Sequence, residues 1–583
     1  SGTGTWTLSG ASTYTGTTTI SNGTISAGSI VVSGGASNLG NAASAVVLGD
    51  ASNKGTLSYT GGVATYTRGF TLNAGGGEVD STTALLTIGT GGISGTGLLT
   101  IGGANNITIS SNITSSGGLT KTGAGILILS GSNTYTGTTT VSQGTLKAGA
   151  ANVFGGAAST SALSMNGGTL DMAGFSEAFG SLTGSSGSIT STAVGTFTLT
   201  VGYDNTSPAV YSGTILVGSS TSFSLTKLGS GTLTLSGANT YTGTTTINAG
   251  TLAYGASNVI NTGAVTVDGA TAILAMGANQ SDSVGTVTVA NSGSITGSGT
   301  SALTTTGTFE MQSGSVSAIL AGAVALNKTT AGTVTLSGAN TYTGLTTVSA
   351  GTLAYGASNV INTGAVTVDG ATAILAMGAN QSDSVGTVTV ANSGSITGSG
   401  TSALTTTGTF EMQSGSVSAI LAGAVALNKT TAGTVTLSGA NTYAGATTVT
   451  QGTLKAGAAN VFGGASSTSA LVMNGGTLDM AGFSEAFGSL TGTSGSITSS
   501  ASGIFTLTIG YDNTSPAVYS GTITLGSATS FSLTKLGSGT LTFGANVTLS
   551  NLTISAGTLD MSGYYLSVSG TATVSTSSSS SAT

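Results

Sequence analysis

Apolar residues alternate with hydroxyl-bearing ones in short bursts along this chain. In GTLTLSG (231–237) Leu233 and Leu235 alternate with Thr, and in AVTVDG (264–269) Val265 and Val267 do the same. A period of two puts every second side chain on one face, which predicts half-buried β-strands. Gly, Asn and Ser interrupt the bursts every few residues, and Gly at such corners supplies backbone geometries that other residues resist. No helical stripe extends beyond a turn or two, so the predicted fold is all-β.

The bursts recur in a fixed order. LSGANTYTGTTT at 235–246 returns as LSGASTYTGTTT at 8–19, LSGSNTYTGTTT at 129–140, LSGANTYTGLTT at 336–347 and LSGANTYAGATT at 437–448, in steps of 121, 106, 101 and 101 residues. Residues 249–342 are repeated unchanged as 350–443, and the segment from Gln143 recurs with scattered changes from Gln451. The chain thus divides into a divergent N-terminal region (1–142), a block X (143–248), a block Y (249–349), a copy of Y (350–450), a copy of X (451–543), and C-terminal coils with a Ser-rich tail (544–583). Each interval splits into about five rungs of roughly 20 residues, the scale of solenoid coils. The expected architecture is a parallel β-helix of roughly 25–30 coils, a rod on the order of 130 Å long at about 4.8 Å per stacked strand.

The string GTLTLSGANTYTGTTTINAGTL (231–252) resembles the autotransporter-associated β-strand repeat of exported passenger proteins of Gram-negative bacteria. Five good copies fall between about residues 4 and 454, and a degenerate sixth, without the Asn-Thr-Tyr-Thr-Gly turn, begins at GTLTFGANVTL (539–549). The resemblance implies a right-handed parallel β-helix at the cell surface and is unspecific for activity. The family usually continues into a C-terminal translocator barrel, whereas this chain ends in TATVSTSSSSSAT. The expectation is a passenger cleaved from its barrel or a protein exported by another route. The absence of a basic-then-apolar leader before Ser1 fits a processed product.

Composition narrows the function classes. Charged residues make up 4% of the chain, against about 25% in a typical soluble domain, and a mean hydropathy of +0.37 is too apolar for a disordered chain. Gly occurs 98 times and Pro twice, without the three-residue period of collagen. A net charge of −7 with no basic stretch argues against nucleic acid as a partner, and no apolar run is long enough for a membrane-spanning helix.

Candidate chemistry is sparse. With no His and no Cys, Ser-His-Asp triads, thiol nucleophiles and zinc–thiolate sites are excluded. Glu78 and Asp80, two apart on one strand face, form the one carboxylate pair suited to acid–base work, with Arg68 ten residues earlier; a solvated outer face explains the pair better. Asp171, Glu177, Asp268, Asp282 and Glu310 return as Asp479, Glu485, Asp369, Asp383 and Glu411, as duplicated surface elements would. YDNTSP (203–208, 511–516) offers Asp204 and Asn205 to Ca²⁺ but lacks the six to eight oxygens that ion takes, and a turn stopped by Pro208 is the better reading. The motif Asn (Asn133, Asn239, Asn340, Asn441) is expected at a left-handed corner bonding its own backbone, and the Tyr beside it (Tyr14, Tyr135, Tyr241, Tyr342, Tyr443) to cover that corner rather than bind sugar. No catalytic residue, cofactor or metal ligand is assigned.

The ends carry the remaining hypothesis. Trp6, the only Trp, holds the slot of Leu127, Leu233, Val334 and Val435 and is expected to point inward, while Tyr564 and Tyr565 precede the Ser-rich tail. Aromatics at open solenoid ends suit a stacking interface, with the tail held by a neighbouring subunit. The reading is a non-enzymatic, self-assembling subunit of a bacterial surface layer or extracellular fibre, head-to-tail or in a lattice, secreted or on the outer surface. The alternative is an adhesin passenger contacting cells or glycans. Ice binding and polysaccharide chemistry are more remote; ice binding would need Thr on successive coils, and the Thr-Thr-Thr clusters recur once per five coils.

Overall fold

A computed structural model of the chain describes residues 2–30, 35–260, 262–575 and 580–582. It divides into two compact units, Ser1–Thr304 and Thr305–Thr583. The described residues contain strands and no helix, and the strand ladders run parallel, in about 27 solenoid turns altogether.

The second unit shows one complete motif interval in register. Strands Thr346–Val348, Val366–Asp369, Val388–Ala391, Phe410–Met412, Leu427–Lys429 and Thr447–Val449 stack in sequence, aligning Val348, Val368, Val390, Met412, Lys429 and Val449 in one buried column. Successive members lie 20, 22, 22, 17 and 20 residues apart, so one motif interval makes five coils, as its length suggests. A second wall aligns Val334, Leu353, Leu375, Ile396 and Val417, and a third joins Ser382–Val385, Ala403–Thr406 and Ile420–Ala422. Val and Ile suit these positions because their branched side chains pack well on a pleated surface, each burial contributing about 1.5–3 kcal/mol.

In the first unit, register places Trp6, Ile25, Leu57, Val79, Ile101, Lys121, Val141 and Met165 in one column. Trp6 therefore occupies an inward slot, yet it is 73% exposed, which corrects the expectation of a core side chain. Its strand, Thr5–Leu8, pairs on one side only, with Gly23–Ala27, so no described coil covers its other face.

Thr fills the outward position on successive coils. Thr200, Thr226, Thr246, Thr266 and Thr288 are in register in the first unit, and Thr347, Thr367 and Thr389 in the second. The Thr-Thr-Thr clusters recur once per five coils as read, but the outward Thr column runs over adjacent coils between them. Single Thr residues extend the column over three of the five coils, as β-branched residues suit an outward strand position, and Glu411 and Asn428 interrupt it on the other two.

Candidate functional site

The most repeated buried chemistry is a Lys, an Asn and a Tyr, present together in four copies of the repeat, with the Lys at the turn before the motif's first strand and the Asn and Tyr in the segment after it. The Lys belongs to a Leu-Thr-Lys or Leu-Asn-Lys strand just before the motif: Lys121, Lys227, Lys328, Lys429 and Lys535 are five of the chain's eight lysines, each almost wholly buried. Period-two geometry turns the Lys inward with the Leu two residues before it. Main-chain carbonyls receive its ammonium. Lys227 Nζ donates to Leu228 O, to Gly229 O at 2.9 Å and, in the next coil, to Ala249 O at 3.3 Å. Lys328 reaches Thr330 O and Ala350 O (2.9 Å), and Lys429 reaches Thr431 O and Gln451 O (3.1 Å). Burial lowers the lysine pKa from 10.5 to about 8 at Lys121, Lys227, Lys328 and Lys429. A left-handed Gly closes the cluster: at Gly144 (φ +69) a Cβ would lie 2.3 Å from Gly123 O and 2.9 Å from Lys121 Nζ.

The motif Asn joins three coils. Asn239 Oδ1 accepts from the Ile215 amide of the preceding coil (2.7 Å), and its Nδ2 donates to Val259 O of the following one (2.6 Å). None of Asn133, Asn239, Asn340 and Asn441 has a positive φ, and all four bond neighbouring coils. The expected left-handed, self-bonded Asn is therefore incorrect: flanking coils present a free amide and a free carbonyl that a carboxamide spans, which outweighs a local turn. The left-handed Asn residues of this region lie one coil later, at Asn152, Asn258, Asn359 and Asn460.

The Tyr covers the corner as predicted. Tyr135, Tyr241, Tyr342 and Tyr443 are buried, each hydroxyl paired with a buried Thr four residues on (2.7–2.9 Å), so they offer no face to a sugar. Tyr14 keeps its bond to Thr18 (2.9 Å) but is 43% exposed.

The duplicated acids read as surface elements are in part internal, since Asp171, Glu177 and Asp282 and their copies Asp479, Glu485 and Asp383 are buried, which corrects that reading for these six. Buried Asp282 and Asp383 each accept a loop amide at 2.8 Å, from Ile260 and Ile361. Glu177 and Glu485 hold the equivalent place under Phe154 and Phe462; burial raises both to about 8, opposed by the loop amides. Asp171 and Asp479 pair with Lys147 (3.0 Å) and Lys455 (3.5 Å). Asp268 and Asp369 accept from Asn291 and Asn392 (both 2.6 Å), and Glu310 and Glu411 from Asn327 and Asn428 (both 2.8 Å). Asp204 Oδ1 accepts the Thr206 amide and hydroxyl (both 2.9 Å), the expected turn, and Asn205 Oδ1 takes the Ser230 amide at 2.9 Å.

Glu78 and Asp80 do share a face of strand Gly77–Ser81, Glu78 paired with Lys54, and burial followed by the Glu78 charge raises Asp80 to about 6. Arg68 does not join them: it is buried, donating to Ser44 O and Leu39 O (both 2.9 Å). The other assembly candidates, Tyr564 and Tyr565, are 48% and 80% exposed. The Ser-rich tail falls partly on 576–579 and 583, outside the described residues; the backbone of Ser580–Ala582 pairs in parallel with Gly557–Asp560.

Sequence reasoning missed the Lys. Its signal was present as a lysine at constant distance before each motif in a chain with few charges, but a charged residue in alternating text reads as outward-facing.

The passenger-associated-transport-repeat family matches six segments: 1–27, 119–148, 225–253, 326–354, 427–456 and 533–561. The last five begin at the Leu two residues before the buried Lys. Over 258 residues, 43% of the chain, it is 33% identical to a protein named adhesin BmaC autotransporter from Brucella suis biovar 1 (strain 1330). The chain spans 7% of that relative's length. No solved structure matches. The chain is a parallel β-solenoid in which six segments match the passenger-associated-transport-repeat family.

Proposed function

We propose that the chain is a non-enzymatic segment of an autotransporter-type adhesin passenger, exported to the outer surface of a Gram-negative bacterium, where its Thr- and Asn-rich outer faces meet cells or glycans. The observation that carries this reading is the presence of six segments matching the passenger repeat, four of which bury a Lys, an Asn and a Tyr that bond to the protein itself. The resemblance to a protein named as an adhesin supports it. The test is adhesion of chain-coated beads to cultured epithelial cells and to a glycan array. Saturable binding above that of beads coated with an unrelated β-solenoid is expected; equal binding would overturn the reading.

A second reading, self-assembly into a fibre or layer, is favoured by the exposure of Trp6 and Tyr565. Electron microscopy of concentrated protein distinguishes the two: filaments or sheets support assembly, and isolated particles support the adhesin segment alone.

A further inference from the structure

Four complete copies of the corner lie between different neighbours. The copy at 119–148 follows the divergent N-terminal region and leads into X; that at 225–253 joins X to Y; that at 326–354 joins Y to Y; and that at 427–456 joins Y to X. The geometry is nevertheless the same at all four. The motif Asn accepts from Ile113, Ile215, Leu320 and Leu421 at 2.8, 2.7, 2.8 and 2.7 Å. It donates to Val153, Val259, Val360 and Val461 at 2.7, 2.6, 2.6 and 2.7 Å. The Tyr–Thr bond stays within 2.7–2.9 Å.

Every group that Asn and Lys engage outside their own coil is a main-chain amide or carbonyl. Main-chain groups are present whatever side chains the neighbouring block carries. Specificity therefore rests on a few constants: the Lys and Asn, an inward aliphatic on either side, and a left-handed Gly near the end of each copy (Gly144, Gly250, Gly351, Gly452). In repeat solenoids each coil contacts only its neighbours, so a joint satisfied locally transmits no demand to coils beyond it.

We infer that this motif is an interchangeable joint, at which whole blocks are added, removed or reordered with the fold intact, so that chain length changes in steps of one block. The inference goes beyond the adhesin reading and does not depend on it: the joint would serve any surface chain whose reach is adjusted by block number. One five-coil block adds about 24 Å at about 4.8 Å per coil.

The test is a joint that this chain lacks. Removing residues 249–450 from the full chain fuses Asn248 to Gln451 and joins X directly to its copy, placing Val461 O where Asn239 meets Val259 O. Removing 259–450 instead leaves ten extra residues after the joint and puts the coils out of phase. The in-phase chain should retain a sheet-type circular dichroism spectrum and resist proteinase K within about two-fold of the parent, while the out-of-phase chain is cleaved more than about ten-fold faster. Asn239→Ala in the in-phase chain should accelerate cleavage near the new joint. Lability of the in-phase chain equal to that of the out-of-phase one, equal resistance of both, or indifference to Asn239→Ala would each overturn the inference.

Discussion

The first copy of the motif and the copy at 225–253 are nearly the same text in different surroundings. Tyr14 and Tyr241 make the same bond, to Thr18 at 2.9 Å and Thr245 at 2.7 Å, yet Tyr14 is 43% exposed and Tyr241 is fully buried. Trp6 and Leu233 hold the same position in the motif text and are 73% and 1% exposed. Ser12 stands where Asn239 spans three coils. The local hydroxyl pair thus follows from the motif alone, whereas burial and the inter-coil bonds require a coil on each side. A solenoid core belongs to the stack rather than to any one repeat.

Substitutions should separate the two copies. The largest difference is expected for Leu233→Ala against Trp6→Ala. The first leaves a cavity in a packed column and should cost about 2–5 kcal/mol of local opening free energy, the second within about 0.5 kcal/mol. Native-state hydrogen exchange of strands Thr232–Leu235 and Thr5–Leu8 reads both. Asn239→Ala comes next: it strands a buried amide and a buried carbonyl, at about 1–3 kcal/mol each, and Ser12→Ala should cost a few tenths at most, about the surface level.

Tyr241→Phe removes one buried hydroxyl pair, about 1 kcal/mol, and Tyr14→Phe should cost less because water replaces the bond. Thermal unfolding of the two variants is the check.

A further expected effect is on pH dependence, at the buried acids and lysines. Burial raises Glu177 and Glu485 from 4.5 to about 8, so the stability of their neutral forms is complete below about pH 4.5 and is lost as pH rises toward 8. The buried lysines have the opposite sign: their charged form costs stability below about pH 8, and that cost is relieved toward pH 10.5. The midpoint of thermal unfolding should therefore fall between pH 5 and 8, and the double variant Glu177→Gln/Glu485→Gln should flatten the fall. An unchanged slope would remove these two acids from the account.

Much of the fold was legible because period-two text with Gly corners admits few structures. Leu233 and Leu235, Val265 and Val267 all face the core as their alternation predicts, and the five coils between Val348 and Val449 follow from interval length. The burial of Tyr241 and the turn at Asp204 were legible for the same local reasons. The corner was not. Asn239 bonds residues 24 positions before and 20 after it, and coil lengths of 17–22 residues hide which backbone groups fall opposite. Lys227 was missed because its charge suggests solvent, whereas three carbonyls at a coil end solvate it inside. Trp6 was misplaced because slot identity was taken to imply burial.

The central claim is that one Asn ties its coil to both neighbours through the main chain. Hydrogen exchange with mass spectrometry on the full chain carrying Asn239→Ala tests it most directly. The account predicts lost protection on both sides, at peptides containing Ile215 and Val259, with the copy at 427–456 unchanged. Protection kept on either side, or lost equally at the distant copy, would contradict it.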